Sequence, residues 1–151
     1  MAAARRRRHV ERDITFPVKP LPFSDVPVLI RTDFSSPDAW AGICERIRRP
    51  DELFRASLTF IDDAAFAGLT PDNLRTRGYF DHQTFAFFAD RMTMTHVEHP
   101  VLVVFVFEDS HVEFRAIPSE IPAIETNLSL GNMDPEDFAQ SAGTDGIFRG
   151  F

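Results

Sequence analysis

Four apolar runs in this 151-residue chain each stop on an acid: Leu29-Ile30-Arg31-Thr32-Asp33, Leu58-Thr59-Phe60-Ile61-Asp62-Asp63, Phe85-Ala86-Phe87-Phe88-Ala89-Asp90 and Val103-Val104-Phe105-Val106-Phe107-Glu108-Asp109. If the runs are strands of one mostly parallel sheet, their carboxylates gather at its C-terminal edge, where open α/β sheets place ligand sites. Asp38, Asp63 and Asp134 stand where helix N-termini want an acceptor, so capping accounts for them. Asp33, Asp62 and Asp90 have no such role, since Ser36 already caps the first helix and no clear helix is read after Asp90. Three carboxylates within ~5 Å would hold a hard divalent cation. Arg31 and Arg91 would then offset charge on a phosphoryl group while the metal activated water for hydrolysis. The simpler reading is architectural: strand ends are where chains turn, Asp is a turn former, and acids blunt sheet edges.

Weaker chemistry lies elsewhere. His96-Val97-Glu98-His99 offers two imidazoles and a carboxylate. Pro100 makes the stretch a loop, however, and no third, distant ligand accompanies His96 and His99 to complete a zinc site. His82 and His111 read as solvated loop residues. No phosphate-cradling glycine loop, Gly-x-Ser-x-Gly elbow, His-Glu-x-x-His helix or Cys-x-x-Cys pair occurs. A receiver domain would need a late-strand lysine, but the single lysine is Lys19 in the lead-in. A haloacid-dehalogenase site would need Asp-x-Asp after the first strand, and Ser35 stands where the second acid belongs.

The elements that must position these residues follow from periodicity and punctuation. Prolines 17, 20, 22 and 27 forbid regular structure from Ile14 to Pro27, leaving an extended surface lead-in over residues 13–25. Val28 to Phe34 alternates as a first strand. Ser36-Pro37-Asp38 opens a helix whose Trp40, Ile43, Cys44 and Ile47 recur at i, i+3, i+4 and i+7. Cys44 is thus a small core residue with no activating base on its face. Strands are expected at Ala56–Ile61, Thr84–Ala89 and Val101–Phe107, the last apolar enough to be central. Asp63 caps a short helix through Gly68, and Thr70-Pro71 opens another that Gly78 ends. Asp109-Ser110 turns the chain into an antiparallel partner, Val112–Ile117. Helices follow from Ser119 to Leu128 and after Asp134-Pro135, and Phe148 and Phe151 mark a docked C-terminal tail.

The expected fold is therefore α/β: a single domain over residues 26–151 with a mixed, partly parallel sheet of about five strands and helices on both faces. The chain is long enough for one substantial core and short for two. No apolar stretch approaches the ~18 residues of a membrane span, and one cysteine cannot form an internal disulfide, which together predict a cytoplasmic protein with no membrane partner.

Charge bounds the partners. Residues 1–12 hold five Arg and one Glu, leaving 11 of the 16 bases against 22 of the 23 acids for the rest. A body that acidic repels phosphate backbones, so nucleic-acid binding by the folded part is not expected. The Arg5–Arg8 tract reads as a disordered basic tail, with a localisation arm or an upstream start site as alternatives. Sixteen phenylalanines exceed what a small core needs; exposed ones would serve as anchors while acids set orientation and on-rate. The expectation is a non-catalytic protein-binding or self-associating domain of immunity-like type, needing no cofactor. The alternative is a divalent-cation-dependent phosphoryl-transfer or hydrolytic enzyme.

Several phrases, taken together, carry a family resemblance: Leu29–Phe34, Phe60-Ile61-Asp62-Asp63 with Ala67-Gly68-Leu69-Thr70, His99–Val104, Asn127-Leu128-Ser129 with Asn132-Met133-Asp134, and Phe148-Arg149-Gly150-Phe151. From Leu21 onward the chain resembles the actinobacterial domain of unknown function 6924 family. That resemblance implies a GC-rich actinobacterial source, in keeping with the Arg-for-Lys bias, and brings no functional residues with it.

Overall fold

The computed structural model describes residues 19–51 and 53–151. The basic tail expected over residues 1–12, and residues 13–18 of the lead-in, lie outside the described residues.

A six-stranded sheet of order β2-β1-β3-β4-β5-β6 forms the centre: β1 (Val28–Arg31), β2 (Thr59–Ile61), β3 (Phe85–Ala89), β4 (Val101–Phe107), β5 (Ser110–Ala116) and β6 (Ile147–Phe148). β1 pairs in parallel with both β2 and β3. β4 runs antiparallel to β3 and β5, and β6 lies parallel to β5. The mixed sheet is as expected, with one strand more: the two-residue β6, too short to carry its own periodicity. All residues of β1 and β3 are buried, which is what strands under helices on both faces require.

One face carries α1 (Pro37–Arg48), whose stripe of Trp40, Ile43, Cys44 and Ile47 packs with Leu29 and Phe87. Ser36 caps it through the Ala39 amide, with Pro37 in the first turn as read. α4 (Ile121–Ser129) and α5 (Pro135–Ser141) join the same layer through Ile121, Ile124 and Phe138. The opposite face is covered by a 3₁₀ turn, Ala64–Phe66, and by α2 (Pro71–Thr76). Their Phe66 and Leu74 pack with Val28, Ile30 and Phe88.

The route from β1 to β2 crosses one face and the return to β3 crosses the other. The connections therefore diverge between β1 and β3, which is the topological switch point of this sheet. β1 stops at Arg31 rather than Phe34 because the Thr32 and Asp33 amides both donate to the Ala89 carbonyl, at 2.9 and 3.3 Å, and curl the chain out of the ladder. β2 shrinks to three residues.

The described part of the lead-in has no helix or strand and is tied down: Arg77 donates to the Lys19 carbonyl at 3.0 Å, and Ser24 and Thr59 share a 2.7 Å hydroxyl contact. Of the fifteen described phenylalanines seven are buried and five are partly buried, and only Phe23, Phe107 and Phe151 are strongly exposed. No helix among the described residues is long and apolar enough to cross a membrane.

Candidate functional site

Three of the four acid-tipped runs end at one edge of the sheet. β4 runs the other way, so Glu108 and Asp109 fall at the opposite edge. At the shared edge the topology brings Asp62, Asp33 and Asp90 side by side in strand order, at the ends of β2, β1 and β3. Their side chains do not converge, because each has a different partner.

Asp62 faces Arg31, whose Nη1 lies 3.1 Å from its Oδ1. Arg31 is almost wholly buried, its guanidinium 4.3 Å from the Phe34 ring centroid, and its Nε donates to the Asp33 carbonyl at 3.3 Å. A cation desolvated and stacked in this way is held by its carboxylate and ring, not presented to a ligand. Asp33 turns instead to Ser35, accepting from its backbone N–H at 3.0 Å and from its hydroxyl. Those two hydrogen bonds, with the nearby Arg91 charge, hold the Asp33 carboxyl below the usual carboxylate range.

Asp90 corrects the reading that no helix follows it. It is the N-cap of α3 (Arg91–Thr95), accepting from the Thr93 amide at 3.1 Å and the Thr93 hydroxyl at 3.0 Å, while Thr93 Oγ1 accepts from the Asp90 amide. The Asp90-x-x-Thr93 spacing is the signal that could have revealed it. Both carboxylate oxygens also take the Arg115 guanidinium, at 2.9 and 2.6 Å. Burial alone would raise the Asp90 pKa, but Arg115 and Thr93 outweigh it and hold the group low.

Neither Arg115 nor Thr93 is among the sequence candidates. Arg115 sits on β5, 25 residues from Asp90 in the chain, and only the β3-β4-β5 order makes them neighbours. Arg91, the first residue of α3, is exposed and makes no ion pair among the described residues.

The histidine loop is structural in its contacts. His96 Nδ1 accepts from the Glu98 amide at 3.0 Å, and His99 Nδ1 donates to the Thr93 carbonyl at 2.8 Å. Glu98 is gripped by Arg149 through two bonds of 2.8 and 2.7 Å. His111 is a strand residue rather than a loop one, bonded to Arg75 and Glu113, whereas His82 is solvated as read. Among the described residues no three His, Cys, Asp or Glu side chains form a group able to hold a metal ion. Cys44 is buried, and desolvation pushes its thiol up to about 11, far from a nucleophile's range.

What the edge does contain is a cleft of about 270 Å³ at the β1/β3 switch point. Thr32 and Asp33 border it from β1, Asp90 and Arg91 from β3, and Gly68-Leu69-Thr70 from the loop after β2; Phe88 and Leu102 add apolar surface. The Gly68 N–H donates to the Thr32 carbonyl at 2.8 Å from a φ of 74°, a conformation that favours glycine and brings this loop over the end of β1. Asp62 lies outside the cleft, beside Trp40, Cys44 and Phe60. Two of the three carboxylates thus share a cavity and the third does not.

No curated protein matches the chain. A family model described as a domain of unknown function (DUF6924) matches residues 26–151, from the residues just before β1 to the C-terminal residue. With the match spanning the whole sheet and every helix described above, the chain belongs to the DUF6924 family.

Proposed function

We propose that this is a non-catalytic, cytoplasmic recognition domain whose partner is a basic protein. The observation that carries the reading is the β4–β5 hairpin tip, where Phe107 is 52% exposed beside the exposed acids Glu108 and Asp109, with exposed Glu113 further along β5. An aromatic anchor bracketed by carboxylates supplies apolar contact and orientation together. Glu108 also holds a φ of 52°, a conformation unfavourable for a side chain with Cβ and one that recurs at functional loops. The surrounding acid surplus would steer a cationic partner toward the tip.

The phosphoryl-transfer alternative needs Asp33, Asp62 and Asp90 around one cation. It draws less support from the geometry, since Arg31 and Arg115 already neutralise two of the three.

The test is affinity capture at low salt with the full chain and with Phe107→Ala, followed by reconstitution with the purified partner. The expected result is a basic protein bound by the wild-type chain and weakened at least ~30-fold by the substitution, the equivalent of about 2 kcal/mol. Equal binding by both chains, or only self-association in sedimentation, would overturn the reading. Thermal unfolding in EDTA and then Mg²⁺, Mn²⁺ or Zn²⁺ addresses the alternative. A midpoint raised by a cation in the wild type and not in Asp33→Ala would put the enzyme reading first.

A further inference from the structure

We infer that the switch-point cleft binds a small zwitterion with an apolar body, of the chemical class of the apolar α-amino acids. This site is separate from the hairpin tip, which lies at the opposite edge of the sheet.

Three features of the cleft lead there. First, it is bordered by one free group of each charge: Asp33, whose Oδ1 is engaged by Ser35 while its Oδ2 accepts no hydrogen bond among the described residues, and the exposed residue Arg91. The two sense each other's charge yet form no ion pair, so a ligand bearing both an ammonium and a carboxylate can bridge them. Second, the other acid at the cleft, Asp90, is neutralised by Arg115, so Arg91 retains its attraction for an anion. Third, Leu69, Phe88 and Leu102 offer apolar surface in about 270 Å³, the small end of ligand-pocket sizes and suited to a ligand of amino-acid dimensions. The location is the one where divergent βαβ connections leave a crevice in open α/β sheets.

The opposite charges decide against simpler ligands. A lone anion would gain Arg91 and meet repulsion from Asp33, and a lone amine would gain Asp33 and meet repulsion from Arg91. Each half of the zwitterion therefore compensates the liability of the other.

The experiment is calorimetric titration of the full chain with L-leucine, L-valine and L-methionine, and with two truncated analogues of leucine, isoamylamine and 4-methylpentanoate. At least one amino acid should bind saturably, with each analogue weaker by about tenfold or more, the loss of one charge-assisted contact. Arg91→Gln and Asp33→Asn should each weaken the amino acid similarly. Arg91 is exposed, and the amide oxygen introduced by Asp33→Asn can still accept from Ser35, so both variants should fold, which circular dichroism would verify. Arg55→Ala, at the opposite edge of the sheet, should bind as the wild type does. No saturable heat with any of the three amino acids would overturn the inference, as would 4-methylpentanoate binding as tightly as leucine or undiminished binding in both site variants.

Discussion

Asp90 and Arg115 meet in a two-point ion pair that spans the antiparallel strand between them: the carboxylate ends β3, the guanidinium stands on β5, and Arg115 also donates to the Pro100 carbonyl at 3.2 Å, where β4 begins. One carboxylate thereby caps a helix and ties three strands at the edge that borders the cleft. Asp90→Ala removes the cap, worth ~1 kcal/mol, and leaves a half-buried arginine without its anion. The expected loss in urea denaturation is about 2–3 kcal/mol, and a change below ~0.5 kcal/mol would show that the pair is energetically idle.

The same carboxylate and a second, buried one predict opposite pH dependences. Asp90 has its pKa lowered on folding, so its stabilisation is present above the unfolded value of 3.8 and is lost as pH falls through the folded value. Glu125 is raised by burial despite hydrogen bonds from the Ser57 amide and the Ser129 hydroxyl, so its contribution declines as pH rises from the unfolded 4.5 through its folded value. Denaturation midpoints measured across acid to neutral pH should therefore lose part of their acid-side slope in Asp90→Asn. In Glu125→Gln they should lose part of the decline above pH 4.5. An unchanged profile in both variants would refute the assignment.

Two neighbouring residues at the C-terminus should behave very differently. Arg149 bonds Glu98 and Asp145 but is well exposed, and such pairs contribute little in water. Phe148 is 1% exposed and packs edge-on against Phe138 at 5.3 Å. Arg149→Ala should leave stability nearly unchanged, whereas Phe148→Ala should cost about 3–5 kcal/mol through lost burial and the cavity left behind. Comparable losses in a denaturant titration would mean that the ion-pair network anchors β6 as strongly as the aromatic does.

Glu108→Gly should raise stability. The left-handed backbone costs a non-glycine residue ~1–2 kcal/mol, against which glycine's extra unfolded-state freedom sets about 0.5–1 kcal/mol, so a net gain of about 0.5–1 kcal/mol is expected in the melting midpoint. Under the proposed function, the stabilised variant binds its basic partner more weakly. A destabilised variant would show that the Glu108 side chain has a structural role in the turn.

Local signals in the chain are legible wherever one mechanism dominates. Ser36-Pro37 and Thr70-Pro71 cap helices in the structure as their chemistry dictates, and the i, i+3, i+4, i+7 stripe of Trp40, Ile43, Cys44 and Ile47 faces the core. Val101–Phe107 is a strand with the expected bounds and an antiparallel hairpin partner follows it, but the turn is Glu108-Asp109 rather than Asp109-Ser110, so β5 starts at Ser110 instead of Val112 and ends at Ala116. The helix after Asp90 escapes such a reading because its five residues are too few to display a period, and the apolar run before it masks its cap.

Residue type and spacings of two to four residues were enough to establish that carboxylates stand at strand ends, that helices cover both faces of a mixed sheet, and that the body is acidic. Which carboxylate meets which cation is instead a property of strand order. Asp62 meets Arg31 across the β1–β2 pairing and Asp90 meets Arg115 across β4, over separations of 31 and 25 residues. Asp33 and Arg91 are left at one cleft without an ion pair among the described residues. Strand order arises from how apolar faces are buried collectively. It therefore sets the partners of polar edge residues by a mechanism that their local sequence does not encode.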